Sequence, residues 1–334
     1  MSDMTTEMKE KLIKARELLN AEGPEASRSI RAGAEIVRTL AEREDVLEAW
    51  ELLLAGHEKG LAPFKTKKFG RAAKAAIGRL KDAASFFEEG DRLLEIERNS
   101  PLPDFGWLEK ARKRDAVFAD YRQLRTFMSE YVGTKIYKMI RREDMLEAAN
   151  RLGIARNGRT LCFESEEEMA ILTDFCVFLS CAEGKIPAVA QYMNQLDMAG
   201  ISALERRTCE CWRRYRYTVV EPLKHYDGFG ILGRDLLSRR ELVLVDRGLG
   251  SSQNPRIVDM AVGLVPFGDC FMTTGTALPL PAEAVDEVIA TVLKEQGIPY
   301  TNSVSLTKRQ QVVFAGNVIR LALAGGMGEH VRYQ

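Results

Sequence analysis

"RYTVVEPLKHYDGFGILGRDLLSRRELVLVDRGLG", residues 216–250, is the stretch that decides the fold. It is rich in β-branched residues and broken by Asp227-Gly228 and Gly230, and its "ELVLVD" segment alternates apolar with polar or smaller residues. That combination reads as short strands joined by tight turns. Downstream, "AVGLVPFGDCFMTTGTALPLP" (261–281) reads as two more strands around a Phe267–Asp269 turn. About five short antiparallel strands within about 65 residues fit a small barrel or a strongly twisted meander.

Outward from this segment the pattern is helical. "TEMKEKLIKARELLN" stops at Gly23-Pro24, and "SRSIRAGAEIVRTLAE" and "EDVLEAWELLLAGHEKG" follow, then a long segment over 69–99. After the Pro101–Pro103 break comes "DFGWLEKARKRDAVFADYRQLRTFMSEYV". Apolar residues recur every three to four positions throughout. No period of 30–45 residues repeats, so a solenoid is not indicated. In "SEEE", Ser165 suits an N-cap with Glu168 at N3, which gives the acidic run a local role at a helix start. Thr307 with Gln310 makes a second capping box, and Gly325-Gly326 a C-cap. The expected fold is α+β: predominantly helical, with one small antiparallel β-barrel or meander. The expected organisation is an irregular helical domain over 1–134, a second helical block over 135–213, a small antiparallel β domain over 214–281, and C-terminal helices over 282–334 packing on the preceding domains.

Bulk composition narrows the function classes. Lys plus Arg and Asp plus Glu both number 48, so no global field draws the chain to nucleic acid or a membrane. Any such affinity must be local. The charged start "MSDMTTEMKEKLIKARELL" has no apolar core of a secretory signal, and no window approaches the ~20 apolar residues of a membrane span. Six cysteines in 334 residues are no disulfide framework and read as reduced thiols. A cytoplasmic location without membrane contact is expected.

"TCECWRRYRY" (208–217) holds the only C-x-C pair and a dense run of arginines and aromatics. In a strand both thiols would face one way. In a helix they diverge by ~200°. Leu204, Thr208, Cys211, Trp212 and Tyr215 form a helical stripe, with Arg206, Glu210 and Arg213 on the opposite face. The helix reading makes Cys211 and Trp212 core and turns Cys209 elsewhere. A zinc site needs four N/S ligands, and His225 is the nearest histidine, so no metal and no cofactor is expected. The other thiols lie in apolar contexts and read as buried and inert.

One basic patch stands out. "KTKKFGRAAKAAIGRLK" (65–81) carries Lys65, Lys67, Lys68, Arg71, Lys74, Arg79 and Lys81 without an acid. Phe69, Ala73, Ala76, Ile77, Leu80, Ala84 and Phe87 make the buried stripe. The cations share the other face with Ala72, Ala75 and Gly78. That face either contacts a nucleic-acid backbone or another helix, or is solvated and paired with acids elsewhere.

Catalytic signatures are absent from the sequence. The histidines His57, His225 and His330 match no metalloprotease pattern, and there is no nucleophile elbow, P-loop or dinucleotide fingerprint. "GLGSS" (248–252) reads as an inter-strand loop with no helix behind it. If an enzyme is hidden here, His225, Asp227 and Asp235 in the barrel loops are its candidates.

Between about Asp144 and Pro281 the order of signals resembles a group of uncharacterised bacterial proteins, some of which end in an SEC-C zinc-binding motif. "LEAANRLGI", "LCFESEEEMAILTDFCVF", "RYRYTVVEPL" and above all "RDLLSRRELVLVDRGL" carry the resemblance. The SEC-C ending is absent from "GGMGEHVRYQ", so the resemblance implies the architecture and no zinc role. The leading expectation is a cytoplasmic, non-enzymatic macromolecular-interaction protein with a protein partner. The alternatives are a nucleic-acid binder using the 65–81 helix and an enzyme with an unrecognised site. Oligomeric state is left open.

Overall fold

The computed structural model describes residues 46–58, 60, 66–156, 160–161, 163, 165–179, 186–197, 200–251, 258–280, 285–300 and 303–325. The two helices expected before residue 45, Lys65, Cys162 and Cys181 lie outside them. The chain divides between Phe86 and Phe87 into two compact units.

In the first unit, α1 (Val46–Glu58) is followed by α2 (Lys67–Asn99), whose residues from Phe87 onward belong to the second unit. Of the expected stripe Ala73, Ala76 and Ile77 are buried and Phe69, Leu80, Ala84 and Phe87 half-buried, while Ala83, outside that stripe, is buried, as is Leu53 of α1. The two helices pack closely at Gly70. A Cβ there would lie 2.3 Å from the His57 ring, so only glycine lets the imidazole rest on the helix. Lys81 pairs with Glu51 at 3.0 Å.

The second unit is built around a barrel. Its helices are α3 (Ala111–Tyr131), α4 (Arg142–Leu152), α5 (Glu166–Phe178), α6 (Ala188–Gln195) and α7 (Ala203–Arg213). Between α4 and α5 a two-residue pair, β1 (Ala155–Arg156) and β2 (Thr160–Leu161), makes a ladder too short for the sequence pattern to reveal. Then come β3 (Arg216–Tyr226), β4 (Gly230–Asp235), β5 (Glu241–Val245), α8 (Arg247–Ser251), β6 (Asp259–Phe267) and β7 (Cys270–Leu280). The helices α9 (Val285–Glu295) and α10 (Lys308–Ala324) follow. The turns expected at 227–228 and 267–269 join β3 to β4 and β6 to β7.

The strand order is β3-β4-β5-β7-β6, closed by β3 against β6. The expectation of an all-antiparallel β domain needs one correction: β5 and β7 run parallel, with Leu244 opposite Phe271. Five is an odd number of strands, so an alternating up-and-down order cannot close on itself, and one neighbouring pair must run parallel. Val220, Ile231, Leu242, Leu244, Val262 and Leu264 fill the interior. The outer face is covered as well: α5 and α10 pack on β7, α10 on β3 and α7 on β6. Leu242 to Val245 of β5 are all buried, although "ELVLVD" looks like a half-exposed strand.

Local signals behave as expected at the caps. Ser165 accepts from the Glu168 N–H, and Thr307 with Gln310 forms the reciprocal capping box. Gly325 ends α10. "GLGSS" differs from the inter-strand loop expected. Its first residues complete the single turn α8, whose Gly248 and Leu249 N–H groups donate to Asp246 at 3.0 and 3.2 Å.

Candidate functional site

The C-x-C stretch forms the helix α7, so the two thiols diverge. Thr208, Cys211, Trp212 and Tyr215 are buried, and Arg206, Glu210 and Arg213 are exposed. Cys209 is buried too, because α7 has neighbours on several sides: β6, α3 and α6. Burial pushes the Cys209 thiol up to about 11, with Glu205 adding to the rise, and the Cys270 thiol up to about 12. Such thiols are poor nucleophiles and poor ligands at neutral pH. Among the described residues no group of three His, Cys, Asp or Glu side chains could hold a metal ion.

The enzyme candidates do not converge. His225 and Asp227 are exposed at one end of the β3–β4 hairpin, and Asp235 is buried at the other. Five residues of strand, about 17 Å, lie between the ends. Asp235 instead organises a cleft at the barrel mouth, which leaves ≈70 Å³ of room between α2, the strand ends and residues 304–311.

This cleft follows from strand parity. Arg216 and Thr218 share the inward face of β3 with Val220. The Arg216 guanidinium therefore sits over the Phe271 ring, 4.6 Å from its centre, and reaches Glu97 of α2 and, at 3.5 Å, Asp235. Asp235 accepts from the Thr218 hydroxyl at 2.7 Å and from the Leu237 and Ser238 N–H groups at 2.9 and 3.2 Å. The Glu97 pair engages only Nη1 and Oε1, which leaves Glu97 Oε2 and Arg216 Nε enclosed without partners. Arg240 donates to the Glu97 and Arg98 carbonyls in the last turn of α2 and to the Ser100 carbonyl just past it, where the helix end is electronegative.

Beside the cleft, Lys308 crosses α2 at Gly90. A Cβ on Gly90 would lie 2.8 Å from the lysine stem. Lys308 Nζ donates to the Tyr215 carbonyl, and its N–H donates to Asp91 at 2.6 Å. Burial pulls the ammonium down to about 7, with Arg216 adding to the fall and Asp91 and Glu97 opposing it. A separate half-buried carboxyl, Asp174 of α5, accepts from the Thr274 and Thr276 hydroxyls at 2.5 and 2.8 Å. Burial raises it to about 6 against the lowering by those hydrogen bonds. Sequence reasoning passed over Glu97, Arg216, Arg240 and Lys308. The legible signal was Arg216, a charge on the same strand parity as Val220. In this cleft Arg216 answers Glu97 and Asp235, with Glu97 Oε2 and Arg216 Nε left without a hydrogen-bond partner.

The basic face is the opposite case. Lys67, Lys68, Arg71, Lys74, Arg79 and Lys81 are all exposed on α2, as the spacing predicts. Lys81 pairs with Glu51, and Arg71 Nε leans on the Lys67 carbonyl at 3.4 Å. Lys67, Lys68, Lys74 and Arg79 have no carboxylate partner among the described residues. Asp82, also exposed, ends the acid-free run.

Fold and surface together define a mostly helical α+β protein centred on a closed five-stranded barrel. The chain belongs to the DUF7986 family, a family of unknown function, whose model matches residues 116–305. That span holds the barrel and the helices α4 to α9 but not the basic face of α2. No curated protein and no solved structure matches the chain. No helix among the described residues is long and apolar enough to cross a membrane.

Proposed function

We propose that the protein is a cytoplasmic, non-enzymatic macromolecular-interaction protein whose partner is nucleic acid, held on the basic face of α2. The observation that carries this reading is the contrast in pairing. Arg216, Glu97 and Asp235 answer one another at the barrel mouth, whereas five of the six described cations on the basic face of α2 have no carboxylate partner among the described residues. Unmatched exposed cations keep their hydration and counterions until a polyanion displaces them. A protein partner is less well served by this face. Interface hot spots are aromatic or large apolar anchors, and no large apolar side chain is exposed between Lys67 and Ser85. The free thiols Cys176, Cys209, Cys211 and Cys270, all buried, suit a reducing compartment.

The test is a fluorescence-anisotropy titration of labelled DNA and RNA with the full chain. If all six cations engage phosphates, affinity falls by about 10³-fold between about 50 and 200 mM salt. The triple variant Lys67→Glu, Arg71→Glu, Lys74→Glu abolishes binding with its melting temperature unchanged, because none of the three is buried. Absence of binding to either nucleic acid at low salt ends the proposal.

A further inference from the structure

The distribution of cations around α2 says which nucleic acid the face fits. From Lys67 to Lys81 the helix rises about 21 Å, at 1.5 Å per residue, or roughly six base pairs of duplex. Around the axis, taking Gly78 as the crest, Lys67 and Arg71 lie within about 20° of it. Lys74 and Lys81 lie about 40–60° to one side, and Lys68 and Arg79 about 80–100° to the other. The crest itself is open among the described residues: none of them lies within 4 Å of where a Gly78 Cβ would be. This is a two-flanked array with a low ridge, not a single row of charges.

A helix about 10–12 Å across fits the ~12 Å major groove of B-form DNA, where its two flanks meet the phosphates of the two strands. A-form RNA has a deep, narrow major groove that excludes it. Tight binding of single strands draws on aromatic side chains that stack bases, and no such side chain is exposed between Lys67 and Ser85. Asp82 repels phosphate and sets the C-terminal limit of the contact.

We propose that the α2 ridge enters the major groove of duplex DNA and grips the phosphates of both strands, an assignment that rests on the nucleic-acid reading above. The test uses the full chain with a labelled DNA duplex of about 20 base pairs, one of its single strands and the matching RNA duplex, at one salt concentration. Duplex DNA is expected to bind about 10-fold or more tighter than either alternative. Methyl green, which occupies the major groove, displaces the protein, and netropsin, which occupies the minor groove, does not. Gly78→Phe keeps every charge and projects into open space, so it folds, but it props the ridge off the groove floor and weakens duplex binding by about 10-fold. Equal binding of single strands or RNA duplex, displacement by netropsin, or unchanged binding by a folded Gly78→Phe overturns the groove assignment while leaving nucleic-acid binding in place. No binding by any of the three ligands overturns the parent reading.

Discussion

The two halves of α2 treat charge in opposite ways. From Lys67 to Phe86 the exposed face is crowded with cations, and one of them, Lys81, is ion-paired among the described residues. From Phe87 to Asn99 all the charges but Glu88 are engaged: Asp91 accepts from the Lys308 N–H, Arg92 pairs with Glu89 and Arg98 with Glu95 on the surface, and half-buried Glu97 pairs with Arg216. The helix terminus is held by Arg240. One helix thus carries charge used as structure and charge left over. Substitution separates the two kinds, because removing structural charge strands a buried partner, whereas removing surplus charge strands nothing.

The largest effect is expected at Arg216. Arg216→Ala leaves Asp235, 2% exposed, and Glu97 facing each other across a desolvated cleft without their cation. Breaking a buried pair by removing one partner costs about 3–5 kcal/mol. Urea unfolding of the full chain should show a loss of at least about 3 kcal/mol. A loss below about 1 kcal/mol would mean that the barrel mouth does not depend on this ion pair, and the contrast between the halves of α2 would collapse.

A second carboxylate sharpens the point. Half-buried Asp174 is held by two threonine hydroxyls with no ion pair among the described residues, and desolvation raises its carboxyl from 3.8 to about 6 against those hydrogen bonds and the nearby Arg125. Between these values the folded state holds a proton that the unfolded chain has released, so this group's contribution to stability declines as pH rises through the window. Asp174→Asn keeps an acceptor for the hydroxyls and cannot ionise. The variant should match the wild type near pH 4 and exceed it by about 2–3 kcal/mol at pH 7, because a tenfold change in proton affinity is worth about 1.4 kcal/mol. Parallel curves for the two proteins from pH 4 to 7 would show that Asp174 is not desolvated as described.

How much of this was legible in the sequence differs by feature. The barrel was readable because Asp227-Gly228 and the 267–269 turn punctuate β-branched runs, and the α2 face because its apolar stripe repeats every three to four residues. Caps at Ser165 and Thr307 were readable because they are local. The parallel β5–β7 pairing was not, since closure is a property of the whole sheet. Nor was the cleft: Glu97 and Arg216 are 119 residues apart, and only the closed barrel brings the inward face of β3 against α2. That His225 and Asp227 stand apart from Asp235 was hidden for a similar reason, because closeness in a hairpin sequence says nothing about which end of the hairpin each residue occupies. Cys209 lies on another side of α7 from Cys211, as the helical spacing implies, but its burial was not legible, because helix parity separates faces and cannot say how many of them have neighbours.

The smallest expected effect tests the other half of α2. Lys74 is exposed on the ridge, has no carboxylate partner among the described residues, and lies within one turn of Arg71 and about two turns from Lys67 and, beyond Gly78, Lys81. Lys74→Gln removes one charge from a like-charged face and leaves no buried group behind, and both residues are good helix formers. Its urea midpoint should stay within about 0.5 kcal/mol of the wild type, as is usual for surface positions free of special contacts. Crowded like charges repel, so any change at low salt should favour the variant and vanish as salt is added. A clear destabilisation that persists in high salt would show that Lys74 holds the fold together. The first half of α2 would then be structural, like the second, and the ridge would lose its claim to be a binding surface.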